Sequence, residues 1–289
     1  MLTILTPTYN RGKYLERIYN SLLEQTDQNF EWLLIDDGST DNTEEVVREL
    51  TERKDRVFDF RFYSKQNGGK HTAINYGSQY ASGDLVLILD SDDYLTPDAV
   101  ESVHEYWDRY KDDKKICGLS FLKAFDINSP VAKFKKDVLR SDHISYRINK
   151  HVDGDCCEVI RTDVLREFPF PEFEGERFLG ENYLWVNAAL KYDTIYIRKV
   201  IYICEYLDGG LTKSGRQMRM RNPRGGMVGS EVELNRRICF TTRVKKAILY
   251  SCYGFAAGMK SREIVKSSGY PGIVRTFIPL GWFFYRKWK

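Results

Sequence analysis

Two acidic clusters, each directly after a short apolar run, constrain the fold of this chain more than any other feature. Residues 30–35 (FEWLLI) precede Asp36-Asp37, and residues 85–89 (LVLIL) precede Asp90-Ser91-Asp92-Asp93. Short apolar runs between polar turns are typical of strands that a parallel sheet buries on both faces. In open α/β sheets, ligands bind beyond the carboxyl ends of such strands. The sequence therefore predicts a ligand site with two carboxylate clusters at one edge of a sheet.

Strand and helix patterns alternate through the first 110 residues. Strands are predicted at residues 2–6, 30–35, 60–63 and 85–90, and each is followed by a helical pattern. The fourth helix is expected to begin with Thr96 as its N-cap, because threonine caps helices and Pro97 suits the first helical position. This order indicates parallel strands with right-handed crossovers, hence an α/β fold.

Patterns are less regular after residue 114. We predict a strand at residues 116–122, helices at 162–168 and 182–192, and a strand or hairpin at 194–206. These segments form the second half of the same domain, so residues 1–114 and 115–212 make up one predicted domain, 1–212. Helical patterns around residues 226–238 and 243–259 predict a mainly helical C-terminal extension, residues 213–289.

The net charge of +3 conceals an asymmetry. Residues 213–289 contain 17 Lys and Arg against three Asp and Glu, a balance of +14, and the first 212 residues carry −11. Such a split indicates an anionic partner for the extension, whether a phosphate ligand, a membrane surface or a nucleic acid. In residues 270–289, large aromatic side chains alternate with Arg and Lys, which suits a membrane interface. The alternative is a C-terminal segment that packs on the core.

Composition excludes several other classes of protein. With 42% hydrophobic and 29% charged residues, the chain is not expected to be disordered. We expect no signal peptide, because no apolar region follows Met1, and no spanning helix in the apolar stretch 277–285, which is too short. The six cysteines lack metal-ligand spacing and are interpreted as reduced cytosolic thiols.

Five short motifs occur in a characteristic order along the chain. They are Thr6-Pro7-Thr8-Tyr9-Asn10-Arg11, Ile35-Asp36-Asp37-Gly38-Ser39-Thr40-Asp41, Asn67-Gly68-Gly69-Lys70, the Asp90–Asp93 cluster before Tyr94-Leu95-Thr96-Pro97, and Gly180-Glu181-Asn182. In this order and context, the first 210 residues resemble the inverting nucleotide-sugar glycosyltransferases of family 2, which have the GT-A fold. The resemblance implies a nucleoside diphosphate sugar donor, usually on UDP, a glycan or lipid-linked acceptor, and Mn²⁺ or Mg²⁺. No nucleic acid partner is expected.

Carboxylates at strand ends are suited to binding a nucleotide. Asp36 and Asp37 are predicted to accept hydrogen bonds from the uracil N3–H or a ribose hydroxyl, although turn formation is the alternative. We expect Asp37 to matter more for binding than for folding, because a carboxylate facing a cleft has little packing to lose. The other residues predicted to contact the nucleotide sugar are Pro7, Thr8, Tyr9, Asn10, Arg11, Asn67, Lys70, Asp90 and Ser91.

The second cluster carries the predicted cation site. Hard cations are held by one or two carboxylates together with substrate phosphates and water. The resemblance places Asp92 on the cation and Asp90 beside it, near the ribose or a metal-bound water. An acidic surface loop is the alternative.

The motif Gly180-Glu181-Asn182 departs from the family pattern, in which Glu-Asp provides an aspartate as catalytic base. Asn182 is neutral and cannot take the proton, so we assign the base to Glu181. Asp153 and Asp155 are the alternatives.

The sequence therefore predicts a glycosyltransferase of cell-surface polysaccharide synthesis, at the cytoplasmic face of the cell membrane. Two other classes stay open: a nucleotidyltransferase acting on a sugar phosphate, and a non-catalytic protein that binds a nucleotide or nucleic acid.

Overall fold

A computed structural model describes residues 1–204 and 215–289, and these residues divide into two compact units. The first comprises Met1–Asp142, Val152–Pro169 and the described residues of Ala188–Tyr206. The second comprises His143–His151, Phe170–Asn187 and the described residues of Leu207–Lys289. The predicted boundary between residues 212 and 213 lies outside the described residues, so the division into a domain 1–212 and an extension stays a prediction.

The first unit is built on a nine-stranded sheet with the strand order β3-β2-β1-β4-β8-β6-β9-β5, and β7 also pairs with β9. The strands are β1 (Leu2–Thr8), β2 (Phe30–Asp36), β3 (Asp59–Ser64), β4 (Leu85–Ile88), β5 (Tyr94–Leu95), β6 (Ile116–Ala124), β7 (Val138–Ser141), β8 (Cys156–Arg161) and β9 (Asp193–Ile203).

The first four strands pair in parallel, as their apolar runs predict. Every residue of β1 and β2 is buried, and β1 lies between β2 and β4. In the register, Thr8 is opposite Asp36 and Leu5 is opposite Ile88, so the carboxyl ends of these strands lie at the same edge of the sheet. The residues that follow β1, β2 and β4 therefore begin side by side at that edge.

The second half of the sheet has mixed pairing. Strand β6 pairs in parallel with β9, whereas β8 runs antiparallel to both β4 and β6. The predicted α/β fold is confirmed, although β5, β7 and β8 were not predicted. The polar Glu158 in the middle of β8 interrupts its apolar pattern, which hides the strand in the sequence.

Eleven α-helices lie within residues 1–204 and 215–289: α1 (Gly12–Leu23), α2 (Thr43–Glu52), α3 (Lys70–Tyr80), α4 (Ala99–Asp108), α5 (Thr162–Glu167), α6 (Asn182–Ala189), α7 (Gly215–Arg221), α8 (Pro223–Glu231), α9 (Phe240–Ala256), α10 (Ser261–Ser267) and α11 (Pro271–Trp288). The prediction that Thr96 is the N-cap of α4 is wrong, because Asp98 occupies that position. The Thr96 N–H donates to the Ile201 carbonyl oxygen at 3.0 Å, which keeps Thr96 in extended backbone beside β5.

The second unit has its own apolar core, formed by α8, α9, α10 and α11. Glycines permit close helix contacts there. A Cβ at Gly281 of α11 would lie 2.3 Å from Ser251 Cβ of α9, and one at Gly226 would lie 2.8 Å from the Tyr253 ring. The predicted helical character of the C-terminal segment is confirmed for the residues that the structure describes. Among those residues, no helix is long and apolar enough to cross a membrane.

Candidate active site

Asn10 connects the loops that follow β1 and β2. Its backbone has a φ of 52°, a left-handed conformation that asparagine adopts more readily than most residues. The Asn10 N–H donates to Ser39 Oγ at 2.8 Å, and Asn10 Oδ1 accepts from the Thr40 N–H at 2.8 Å. Asn10 therefore fixes the shape of this edge. Of its predicted neighbours in the site, Pro7 and Thr8 are buried, whereas Tyr9 is 43% exposed.

Asp37 is enclosed by protein groups. Its carboxylate accepts from Lys65 Nζ at 2.8 Å and from the N–H groups of Gly68 and Gly69 at 2.9 and 2.6 Å. Asn67 Nδ2 donates to the Asp37 carbonyl oxygen at 2.8 Å. The side chain is buried, so the expectation that Asp37 has little packing to lose is wrong. Its carboxylate holds the Asn67–Gly69 loop, and its contact with a nucleotide stays a prediction.

Asp36 is also buried and satisfied by its neighbours. Its carboxylate accepts from the Ser39 N–H at 3.1 Å and from Ser64 Oγ at 3.2 Å. The turn-forming alternative thus describes what both carboxylates do in this structure. Nucleotide recognition by Asp36 stays a prediction.

Asp90 lies between two lysines. Lys70, the first residue of α3, forms an ion pair with Asp90 Oδ1, and Lys123 of β6 lies 3.6 Å from Asp90 Oδ2. Burial favours the neutral acid, but the two ammonium groups outweigh it and hold the pKa of Asp90 well below its ordinary value. Asp90 is therefore ionised at neutral pH.

The negative charge of Asp92 is less well compensated than that of Asp90. Arg11 Nε lies 3.9 Å from Asp92 Oδ2, and about a quarter of the Asp92 side chain is exposed. Burial and the negative charge of Asp90 raise the pKa of Asp92. Asp92 is thus the carboxylate of the pair with the weaker ion pair, and Asp90 is the one held by two lysines.

Asp93 faces the interior. Its carboxylate accepts from the Tyr202 hydroxyl at 2.8 Å, and that hydroxyl accepts from the Asp90 N–H at 2.9 Å. Burial and the charge of Asp90 raise the pKa of Asp93 to about 7. Burial and both carboxylates raise the pKa of Tyr202 well above its ordinary value, so it stays a hydrogen-bond donor. Tyr202 therefore fixes the backbone of the cluster.

The donor set fits a hard divalent cation. Asp90 and Asp92 offer carboxylate oxygens, the ligand type that a hard cation prefers. In residues 1–204 and 215–289, no group of three or more His, Cys, Asp or Glu is arranged to hold a metal. A cation at this pair would thus depend on further oxygens from a phosphorylated substrate, as Mg²⁺ sites commonly do.

Sequence reasoning missed Lys123 and Tyr202, which come from β6 and β9, far along the chain. Lys123 did give a signal, because it is the one charged residue in the strand sequence ICGLSFLKA. An unpaired lysine in a buried strand is costly, so its presence indicates a carboxylate partner. Tyr202 lies in a strand with several aromatic residues and gives no comparable signal.

The candidate bases lie in different units. Asp153 and Asp155 are exposed residues before β8 in the first unit. Glu181 is half-buried in the second unit, and its carbonyl oxygen accepts from the Leu184 N–H at 2.9 Å at the start of α6. These positions do not distinguish the three carboxylates, so the assignment of the base to Glu181 stays a prediction.

Asn182, next to Glu181, has a defined structural role. Its Oδ1 lies 3.1 Å from His143 Nε2, and its Nδ2 donates to Glu233 Oε1 at 2.6 Å. Glu233 is buried and also pairs with Lys246. The amide both accepts and donates, which a carboxylate cannot do, so an asparagine suits this position.

Comparison with known proteins identifies the family. Residues 3–167, more than half of the chain, match the model of Glycosyl transferase family 2. The chain belongs to this family. A curated relative, "Chondroitin synthase" of Pasteurella multocida (strain Pm70), is 45% identical over 101 residues, which are 35% of this chain and 10% of that protein. The chain thus matches about a tenth of the length of that relative.

Solved structures share the fold at low sequence identity. A structure of S. aureus TarS 1–349 in complex with UDP-GlcNAc aligns with a TM-score of 0.68 and 18% identity, over 99% of this chain and 90% of that one. The mannosyltransferase PcManGT from Pyrobaculum calidifontis, in complex with GDP-Man and Mn²⁺, aligns with a TM-score of 0.59 and 16% identity, over 99% and 82%. These likenesses support the GT-A fold expected from the motifs.

Proposed function

We propose that this chain transfers a sugar from a UDP-sugar to a hydroxyl group of a glycan or lipid-linked acceptor, with inversion, in cell-surface polysaccharide synthesis. The observation that carries the proposal is the cluster at the carboxyl edge of the sheet, where Asp90 and Asp92 lie among Arg11, Lys70 and Lys123. Carboxylates for a cation next to side-chain cations for a diphosphate are the groups that a nucleotide-sugar site needs.

Lys70 and Arg11 would hold the diphosphate. Lys70 begins α3, an eleven-residue helix whose N-terminal N–H groups favour negative charge. Asp90 and Asp92 would hold Mn²⁺ or Mg²⁺. When bound, that cation neutralises charge on the diphosphate leaving group.

The reaction requires a base at the acceptor. In the proposed step, the acceptor oxygen bonds to the anomeric carbon on the face opposite the diphosphate, and the bond to the diphosphate oxygen breaks with its electron pair. Glu181 takes the hydroxyl proton, a contribution typically of ~10²–10⁴-fold to rate. Holding both substrates in line removes a further part of the barrier.

The comparisons support the class of donor and product. TarS was solved with UDP-GlcNAc, and PcManGT was solved with GDP-Man and Mn²⁺. Chondroitin synthase is named for a polysaccharide product. Because UDP and GDP donors occur among proteins of similar fold, the choice of UDP needs a direct test.

The outer face of α11 supports contact with an anionic membrane. Leu280, Trp282 and Phe283 are 46%, 53% and 54% exposed, and Arg286 and Lys287 follow in the next turn. Aromatic side chains suit the membrane interface, and each nearby cation adds ~1 kcal/mol of attraction to an anionic leaflet. We propose that this face binds reversibly to the membrane that carries a lipid-linked acceptor.

A donor screen tests the proposal. Purified protein is incubated with UDP- and GDP-sugars, with and without Mn²⁺, and release of the nucleoside diphosphate is measured. We expect Mn²⁺-dependent release from at least one UDP-sugar, and a loss of ~10²–10⁴-fold in Glu181→Gln. If Glu181→Gln is active and Asp153→Asn or Asp155→Asn is inactive, the base is that aspartate and not Glu181. No release from any donor would overturn the proposal.

A further inference from the structure

A cavity of about 880 Å³ lies in the first unit beside α1, outside the cluster described above. Its other walls are the segment Tyr94–Asp98 and the loop at residues 125–127. The volume is at the upper end of ligand pockets, ~300–1,000 Å³. A ligand larger than one sugar ring therefore fits.

Two aromatic rings line this cavity. Tyr94 lies on one wall, and Phe125, which is 44% exposed, lies on another together with Ile127, which is 58% exposed. Exposed apolar side chains around a concave surface indicate contact with a ligand. Aromatic faces bind the C–H faces of sugar rings and the faces of other flat or apolar groups.

The charges of the lining exclude strongly charged ligands. Four carboxylates, Glu16, Glu24, Asp98 and Asp126, face two cations, Lys13 and Arg17. Asp98 pairs with Lys199, and Glu16 pairs with Arg53. Glu24 and Asp126 thus balance Lys13 and Arg17, and the lining has no net charge to attract an anion or a polyamine. A neutral ligand with many hydroxyl groups is compatible with both signs of charge, because hydroxyls donate to carboxylates and accept from ammonium groups.

Arg17 fixes one wall of the cavity and connects it to the acidic cluster. Its guanidinium donates to the carbonyl oxygen of Asp92 and lies over the Tyr94 and Tyr14 rings, 5.1 and 5.6 Å from their centroids. Asp98 is held by Lys199 at 2.7 Å. The Tyr94 ring is thus held in place, next to the residues proposed to bind the donor.

We propose that this cavity is a binding subsite for a neutral oligosaccharide segment of the acceptor or product glycan. The identity of the segment rests on the proposed function, whereas binding in the cavity is independent of catalysis. Tyr94 and Phe125 stack on sugar rings, and Glu24 and Asp126 accept hydrogen bonds from hydroxyl groups.

Titration of the full chain with cellotetraose, chitotetraose and maltotetraose, followed by ligand-observed NMR, tests the subsite. At least one tetraose should bind more tightly than its monosaccharide. Phe125→Ala should weaken that binding about two- to twelvefold, the range of one aromatic contact. The matched control Phe240→Ala, at a phenylalanine 66% exposed in the second unit, should leave it unchanged.

Three results would overturn the subsite. The first is that no tetraose binds at ~10 mM, a concentration at the weak end of specific binding. The second is that the two Phe→Ala variants affect binding equally. The third is that spermidine binds more tightly than every tetraose. Donor hydrolysis separates this test from that of the proposed function. If a tetraose binds but no donor is hydrolysed, the proposed activity is contradicted and the subsite is supported. If a donor is hydrolysed but no tetraose binds, the subsite is contradicted and the proposed activity is supported.

Discussion

Replacement of Asp37 by alanine should destabilise the fold, because this carboxylate is an internal structural group. The ion pair with Lys65 spans 2.8 Å, and the two side chains are 3% and 18% exposed. Removing one partner of a buried pair typically costs 3–5 kcal/mol, and hydrogen bonds to a charged group contribute ~1.5–3 kcal/mol. Lys65 keeps acceptors at the Gln66 carbonyl oxygen and Thr72 Oγ1, at 2.7 and 2.8 Å, which reduces the loss. We expect the free energy of unfolding to fall by about 3 kcal/mol.

Urea denaturation followed by tryptophan fluorescence measures this loss. Asp108→Ala is the matched control, because Asp108 pairs with Lys111 at the same distance of 2.8 Å but both side chains are more than half exposed. The control should unfold as wild type does, since exposed pairs contribute little. An Asp37→Ala midpoint equal to that of the control would refute the structural role of Asp37.

Three further variants test particular contacts. Tyr202→Phe should lower the free energy of unfolding by about 1–3 kcal/mol in the same denaturation assay, because the part-buried Asp90 N–H and the buried Asp93 carboxyl group lose their shared partner; wild-type stability would contradict this. Gly118→Ala should be far more destabilising than Gly272→Ala, because a Cβ at Gly118 would lie 2.0 Å from a backbone oxygen and one at Gly272 meets nothing within 4 Å; equal stability would show that the strands separate easily. Trp282→Gln/Phe283→Gln should reduce co-sedimentation with anionic vesicles, and high salt should reduce it in wild type; equal pelleting under all conditions would exclude α11 as the membrane contact.

Local patterns predicted the first half of the fold. Strands β1, β2 and β4 are buried on both faces, so each has a nearly continuous apolar sequence that identifies it as a strand. Thr96 shows where local rules fail, because its bond to the Ile201 carbonyl oxygen is formed with a residue more than a hundred positions away. That long-range contact takes precedence over the preference of threonine for an N-cap.

The composition of the site was less predictable than its location. Strand ends in a parallel sheet identified the edge that carries Asp90 and Asp92, and Lys70 forms an ion pair with Asp90 there. The sequence could not show that Asp37 faces inward to a lysine and two glycine N–H groups, because strand-end carboxylates look alike in one dimension. Lys123 reaches Asp90 only because β6 and β4 both pair with β8.

The most direct test of metal-dependent sugar transfer at this edge is the rate of UDP release by Asp92→Asn, in the presence of Mn²⁺ and the donor found in the screen. The amide keeps the shape of the side chain and removes the charge that a hard cation requires. We expect release to fall by ~10²-fold or more, since metal stabilisation is worth several kcal/mol, with unchanged stability to urea. Asp112→Asn, at an exposed aspartate, should keep full activity. Turnover by Asp92→Asn close to that of Asp112→Asn would contradict the assignment of this cluster as the catalytic metal site.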